Sequence, residues 1–218
     1  AAKLALKLRP YSGEVVTLKS LMGIYSVATL ADGHLISCSD DVTRVWHSGV
    51  CVRTIENAAD SMAFLPDGVH FITAEETEST AKLLTLAGAL ERSFDAGSDV
   101  CFVAAIPDGL HVVLALKNGE VRLYHVDGTL VHTFVHVKGL AGEDWSVYAK
   151  VHALAVTRDG QHIISGSGCP YGGIVKVWSV VTKSLVSNCR GHYGCVFTVA
   201  AMPDCQRILT GAADNTVR

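Results

Sequence analysis

The chain has 218 residues, of which 49% are hydrophobic and 18% charged, with a formal net charge of -3. Such a chain can bury a sizeable core without disulfide staples, and its balance of charge offers no basic field for a phosphate backbone, which speaks against nucleic acid as a partner. No apolar run reaches 18 residues, and Lys3, Lys7 and Arg9 interrupt the apolar start, so neither a membrane span nor a secretory core is expected.

In chain order, residues 1–20 read as two strands, the second half of a four-stranded unit whose first half is absent. A β-rich run over 24–30 then meets an Asp32-Gly33 turn, followed by runs over 34–37, 42–47 and 52–55. The same order recurs around Asp67-Gly68, Asp108-Gly109, Asp159-Gly160 and, with Cys in place of Gly, Asp204-Cys205. Asp-Gly between short apolar runs signals a hairpin, because glycine accepts the positive φ of a tight turn. The turns are 35, 41, 51 and 45 residues apart, a mean of 43, which is the period of propeller blades. Four antiparallel strands a, b, c and d per period make one blade. The repeats run over 21–56, 57–95, 96–136 and 151–190, with a truncated one over 191–218. His34, His70, His111 and His162 fall just after these turns and mark the repeat, not a metal site.

Ser39-Asp40-Asp41-Val42-Thr43-Arg44-Val45-Trp46, Gly173-Ile174-Val175-Lys176-Val177-Trp178 and Gly191-His192 resemble the passages that characterise the WD40-repeat family. The resemblance implies an all-β, WD40-type β-propeller with about five four-stranded blades present. It is read as a section of a seven-bladed ring, with a closed five-bladed ring as the alternative. It also implies a buried tetrad of His, Ser or Thr, Asp and a strand-c Trp. His192, Thr210 and Asp214 match three members of it, and Trp46 and Trp178 take the Trp position in their own repeats. Elsewhere the pattern departs: Leu84 and Tyr124 stand for Trp, and Glu78 and Asn118 for Asp.

Interval lengths point to recognition loops. About ten extra residues fall over 135–150, between strands d and a, and the glycine-rich 168–173 lengthens a connection between strands b and c. Both are expected on one face, where Glu143, Asp144, Trp145, Tyr148 and Tyr171 are candidates for partner binding, aromatic side chains being common interface anchors. The alternative use of Trp145 is to fold back and cover its own blade.

Catalytic and cofactor motifs are weak. Residues 165–168 are glycine-rich but lack the order and following helix of a phosphate loop. His132 and His136 are separated by strand-like residues and lack a third ligand. Cys189 with His192 lacks an orienting acid or amide, and His192 has its structural use. Seven cysteines without a CxxC pair are read as reduced and buried, which favours the cytoplasm, or the nucleus. Lys150, Arg158, Lys176 and Lys183 read as solvated. The expected function is a protein-protein interaction scaffold without catalysis, metal or cofactor, belonging to a larger chain or complex. The alternatives are a ubiquitin-linked adaptor or regulatory domain of a signalling enzyme and, less favoured, an enzyme with its active site at the channel mouth.

Overall fold

Each Asp-Gly turn closes a hairpin, and the reason is visible at its two central residues. Gly33, Gly68, Gly109 and Gly160 have φ between 69° and 90°, where a Cβ is disfavoured. The preceding Asp then caps the turn: Asp67 Oδ1 accepts from the backbone N–H groups of Val69 and His70 at 2.8 and 2.9 Å, and its other oxygen meets His70 Nδ1 at 2.6 Å. Asp108 does the same for Leu110 and His111. His70 and His111 therefore complete their turns.

The computed structural model describes residues 3–6, 16–19, 23–30, 33–136, 150–168 and 172–218, the first two segments as backbone strands. Strands β1 (Lys3–Leu6) and β2 (Val16–Lys19) pair antiparallel. The first blade comprises β3 (Ile24–Thr29), β4 (Leu35–Ser39), β5 (Thr43–His47) and β6 (Val50–Ile55). The second comprises β7 (Ser61–Phe64), β8 (His70–Ala74), β9 (Thr80–Thr85) and β10 (Leu90–Asp95). The third is β11 (Val100–Ala105), β12 (His111–Leu116), β13 (Glu120–His125) and β14 (Leu130–Val135). The fourth is β15 (Val151–Val156), β16 (His162–Ser167), β17 (Gly173–Ser179) and β18 (Leu185–His192). Strands β19 (Val196–Ala201) and β20 (Ile208–Ala212) form a two-stranded sheet, onto which Val217 bridges at Gly211. The chain is all-β, and its complete sheets are four-stranded antiparallel blades in the order a-b-c-d.

The apolar core lies between the sheets. One cluster joins Ile36, Val45 and Ile55 of the first blade to Met62, Phe71 and Leu84 of the second. A second joins Phe94 to Tyr124 across the next seam, and a third joins Phe134 to Trp178. The last joins Ile164 and Val175 to Val196 and Val199. Successive strands a pack side by side, β3 on β7, β7 on β11, β11 on β15 and β15 on β19. Burial on both faces explains why strand b reads as a continuous apolar run in the third blade, where residues 112–116 are fully buried.

The seams correct the reading of the cysteines as uniformly buried. Cys38 and Cys101 are buried, whereas Cys51 and Cys189 are exposed. Strand d is the outer strand, and its buried residue is the one opposite the strand-c position of Thr43, Ala81 or Val121, which turns into a seam, giving Ile55, Phe94 and Phe134. Cys189 holds that register against Val175 in the fourth blade, facing a sheet that contributes only β19 and β20 beside it.

Candidate functional site

The connections d–a and b–c lie on one face and are bonded to each other blade by blade. Glu76 N donates to Asp60 Oδ2 at 2.7 Å, Lys117 Nζ to Asp99 Oδ2 at 3.0 Å, and Tyr25 to Asp40 Oδ2 at 3.3 Å. On this face strand a begins with a bulge in the first, third, fourth and last blades, leaving Tyr25, Cys101, His152 and Phe197 outside the ladder. Such bulges re-aim side chains: Tyr25 and Phe197 are exposed, and His152 meets the Phe197 ring edge-on with centroids 5.8 Å apart. The second blade lacks the bulge; there Ser61 Oγ accepts from Val103 N of its neighbour at 3.1 Å.

A groove of about 470 Å³ opens on the same face across three blades. Glu76 comes from the b–c turn of the second blade, Ser98 and Asp99 from the following d–a connection, Lys117 and Asn118 from the b–c turn of the third, and Lys150 and His152 from the entry to the fourth. Lys150 pairs with Glu76 across 74 residues of chain. Lys150 is therefore not a solvated edge residue, as the sequence suggested. Burial lowers the pKa of His152, with the Lys150 charge acting in the same direction. Burial also pushes the Cys101 thiol beside the groove up to about 11, so it stays protonated at neutral pH and is a poor nucleophile. What the groove offers is paired charge above lysine stems, a surface suited to recognition.

The tetrad positions form a graded series. In the last blade His192 Nδ1 donates to Asp214 Oδ2 at 2.9 Å and Nε2 accepts from Thr210 Oγ1 at 2.8 Å. The bond from the Thr216 hydroxyl, against the opposing effect of burial and with help from His192 and Tyr193, holds the Asp214 carboxyl well below the usual range. In the fourth blade Trp178 Nε1 donates to Ser165 Oγ at 2.8 Å and His136 Nδ1 lies 2.6 Å from the same oxygen. Trp46 Nε1 donates to Ser37 Oγ at 2.8 Å in the first blade. The second blade substitutes Asn57 Nδ2 donating to Thr73 Oγ1 at 3.2 Å. In the third, Ala96, Leu114 and Tyr124 fill the positions with largely apolar bulk, and Tyr124 donates to the Asp95 carbonyl.

Glu143, Asp144, Trp145, Tyr148 and Tyr171 lie outside the described residues. The groove was missed in the sequence because its charges come from four separated connections. His136 was missed because the insertion parts it from its strand a. Lys176, read as solvated, is half-buried; its Nζ donates to the His136 carbonyl at 2.6 Å and lies 5.2 Å from the Trp178 ring centre. Cys189 is exposed beside Ser187, while His192 is engaged by Asp214 and Thr210. Among the described residues no group of three or more His, Cys, Asp or Glu could hold a metal ion, and no helix is long and apolar enough to cross a membrane.

A family model described as WD domain, G-beta repeat matches residues 128–179 and 183–218. Apoptotic protease-activating factor 1 of Homo sapiens is 27% identical over 111 residues, which are 51% of this chain and 8% of that protein.

Proposed function

We propose, from the premise that this chain belongs to the WD40-repeat family, that it is a protein-interaction scaffold without catalysis of its own and that its partners dock on the face of the d–a and b–c connections. The observation that carries this reading is the groove across three blades, with the exposed Phe197 ring set edge-on against His152 of its lining. Aromatic side chains on a rigid frame are effective anchors, and the ion pairs at the groove can exchange partners without leaving a buried charge. The opposite face carries the Asp-capped turns, whose polar groups are consumed internally. We place the protein in the cytoplasm or nucleus.

A photo-crosslinking residue at Asn118 or Tyr193, compared with one at Asp127 or Val181 on the opposite face, tests this in the full-length protein in cells. Adducts are expected from the first pair and not from the second. Equal yields from both faces would remove the assignment. A second reading, a regulatory domain within a larger signalling protein, draws on the similarity to a protein named as a protease-activating factor.

A further inference from the structure

Strand d shifts register once in each complete blade, and the residue left unpaired is Val52 in the first, Val131 in the third and Val186 in the fourth. In the second blade it is Glu91. Such shifts re-aim a side chain, and the carboxylate that replaces the valine is turned toward His70, whose Nε2 lies 3.9 Å from Glu91 Oε1. That span is too long for a hydrogen bond. Both residues line a cavity of about 250 Å³ between the second and third blades, on the face opposite the d–a and b–c connections. Leu65, Leu83 and Val126 give the cavity apolar walls, and Arg92 lines it as well.

The polar groups have defined roles. Asp67 Oδ2, which as a carboxylate oxygen only accepts, is 2.6 Å from His70 Nδ1, so Nδ1 carries the hydrogen and the neutral ring presents a bare lone pair at Nε2. Nε2 and Glu91 are therefore two acceptors facing one space, and an ammonium nitrogen about 2.9 Å from each fits between them. Arg92 completes the set with the opposite charge. Its counterpart by register, Arg53, donates to the Ala87 carbonyl of the next blade at 3.2 Å. Arg92 reaches Gly128 of the third blade, where a Cβ would stand 3.3 Å from Nη1, but among the described residues no hydrogen bond or ion pair engages it.

We propose that this cavity binds a free α-amino acid with an aliphatic side chain. The ammonium lies between His70 Nε2 and Glu91, the carboxylate accepts from the Arg92 guanidinium, and the side chain rests on Leu65, Leu83 and Val126. Glu91 and Arg92 are consecutive, which suits a ligand whose two charges share one carbon. Apolar walls with a few convergent polar groups are the usual make-up of a small-molecule site, and a volume below the roughly 300–1,000 Å³ of drug-sized pockets limits the ligand to a small metabolite. A zwitterion leaves neither Glu91 nor Arg92 facing an unmet charge, whereas a metal ion on His70 and Glu91 would set a second positive charge beside Arg92.

L-Leucine is the probe, titrated into the whole protein with the His70 ring and Leu83 methyl resonances as readouts. A saturable shift is expected in wild type. N-Acetyl-leucine, which lacks the ammonium, and leucinamide, which lacks the carboxylate, are each expected to bind about tenfold or more weakly. Glu91→Val, the residue of the sister blades, should abolish the leucine response with Tm unchanged or raised. Arg92→Gln should weaken leucine to the level of leucinamide and leave leucinamide itself unaffected. No saturable response in wild type, or an undiminished one in Glu91→Val, would overturn the site. Equal binding of leucine and leucinamide would overturn the zwitterion. Should zinc chloride shift the His70 resonances while leucine does not, the cavity holds a metal and the proposal fails. These titrations need no protein partner, so their outcome is separate from that of the docking face.

Discussion

His136 shows how one buried ring couples folding to pH. Its unfolded pKa is near 6.5, about the ordinary value for His, and burial brings the folded value down to about 3. The unfolded chain therefore takes up a proton that the folded chain refuses, and the stabilisation is complete above the unfolded value and declines as pH falls toward the folded one. The slope reaches at most about 1.4 kcal/mol per pH unit for one proton. Urea unfolding between pH 7.5 and 5 should show this loss in wild type and a shallower slope in His136→Phe; parallel slopes would mean that the ring is not held neutral. Asp214, also depressed, acts lower on the scale: its stabilisation holds above about 3.9 and is lost as pH falls through its folded value. Backbone strain is equally local. Cys205 has φ 56° where the other a–b turns have glycine, so Cys205→Gly should be neutral or gain up to about 1 kcal/mol, since the relief of strain is partly offset by unfolded-state entropy. Gly109→Ala has room for its methyl, the nearest atom being Pro66 Cδ at 4.0 Å, but should lose about 1 kcal/mol to φ alone. Thermal unfolding of both checks the pair.

At the scale of elements, the seam register decides what a strand-d residue experiences. Cys51 lies exposed on strand d of the first blade, off the register that Ile55 holds at the seam, so a thiol reagent such as DTNB should modify Cys51 within the native protein while Cys38 and Cys101 react only on unfolding. Equal rates at all three would contradict the seam assignment. The strands themselves were legible from the Asp-Gly turns and the runs that flank them, because turn chemistry and period are local properties. The seam was not: whether a strand-d cysteine is covered depends on which blade follows, and this is absent from its own segment. The site divides in the same way. The polar groups around His192 lie within one repeat and could be aligned, while Lys150 and Glu76 belong to different blades and look like ordinary surface charges until the blades are stacked.

For the whole molecule, the four clusters between sheets make stability a matter of neighbours. The third blade is flanked by complete blades on both sides, and its β12 is buried from Val112 to Leu116. Amide hydrogen exchange should therefore be slowest at residues 112–116 and faster along the outer strands β6, β10 and β14. A uniform profile would argue for a single cooperative core instead. The pair between Lys150 and Glu76 behaves differently from every seam, since it bypasses the third blade from second to fourth. It can close only when three consecutive sheets are in register, after the entropy of a long loop has been overcome. A fluorescent reporter at that pair would act as a clock for assembly, silent through the growth of individual hairpins and lit only when the arc is complete.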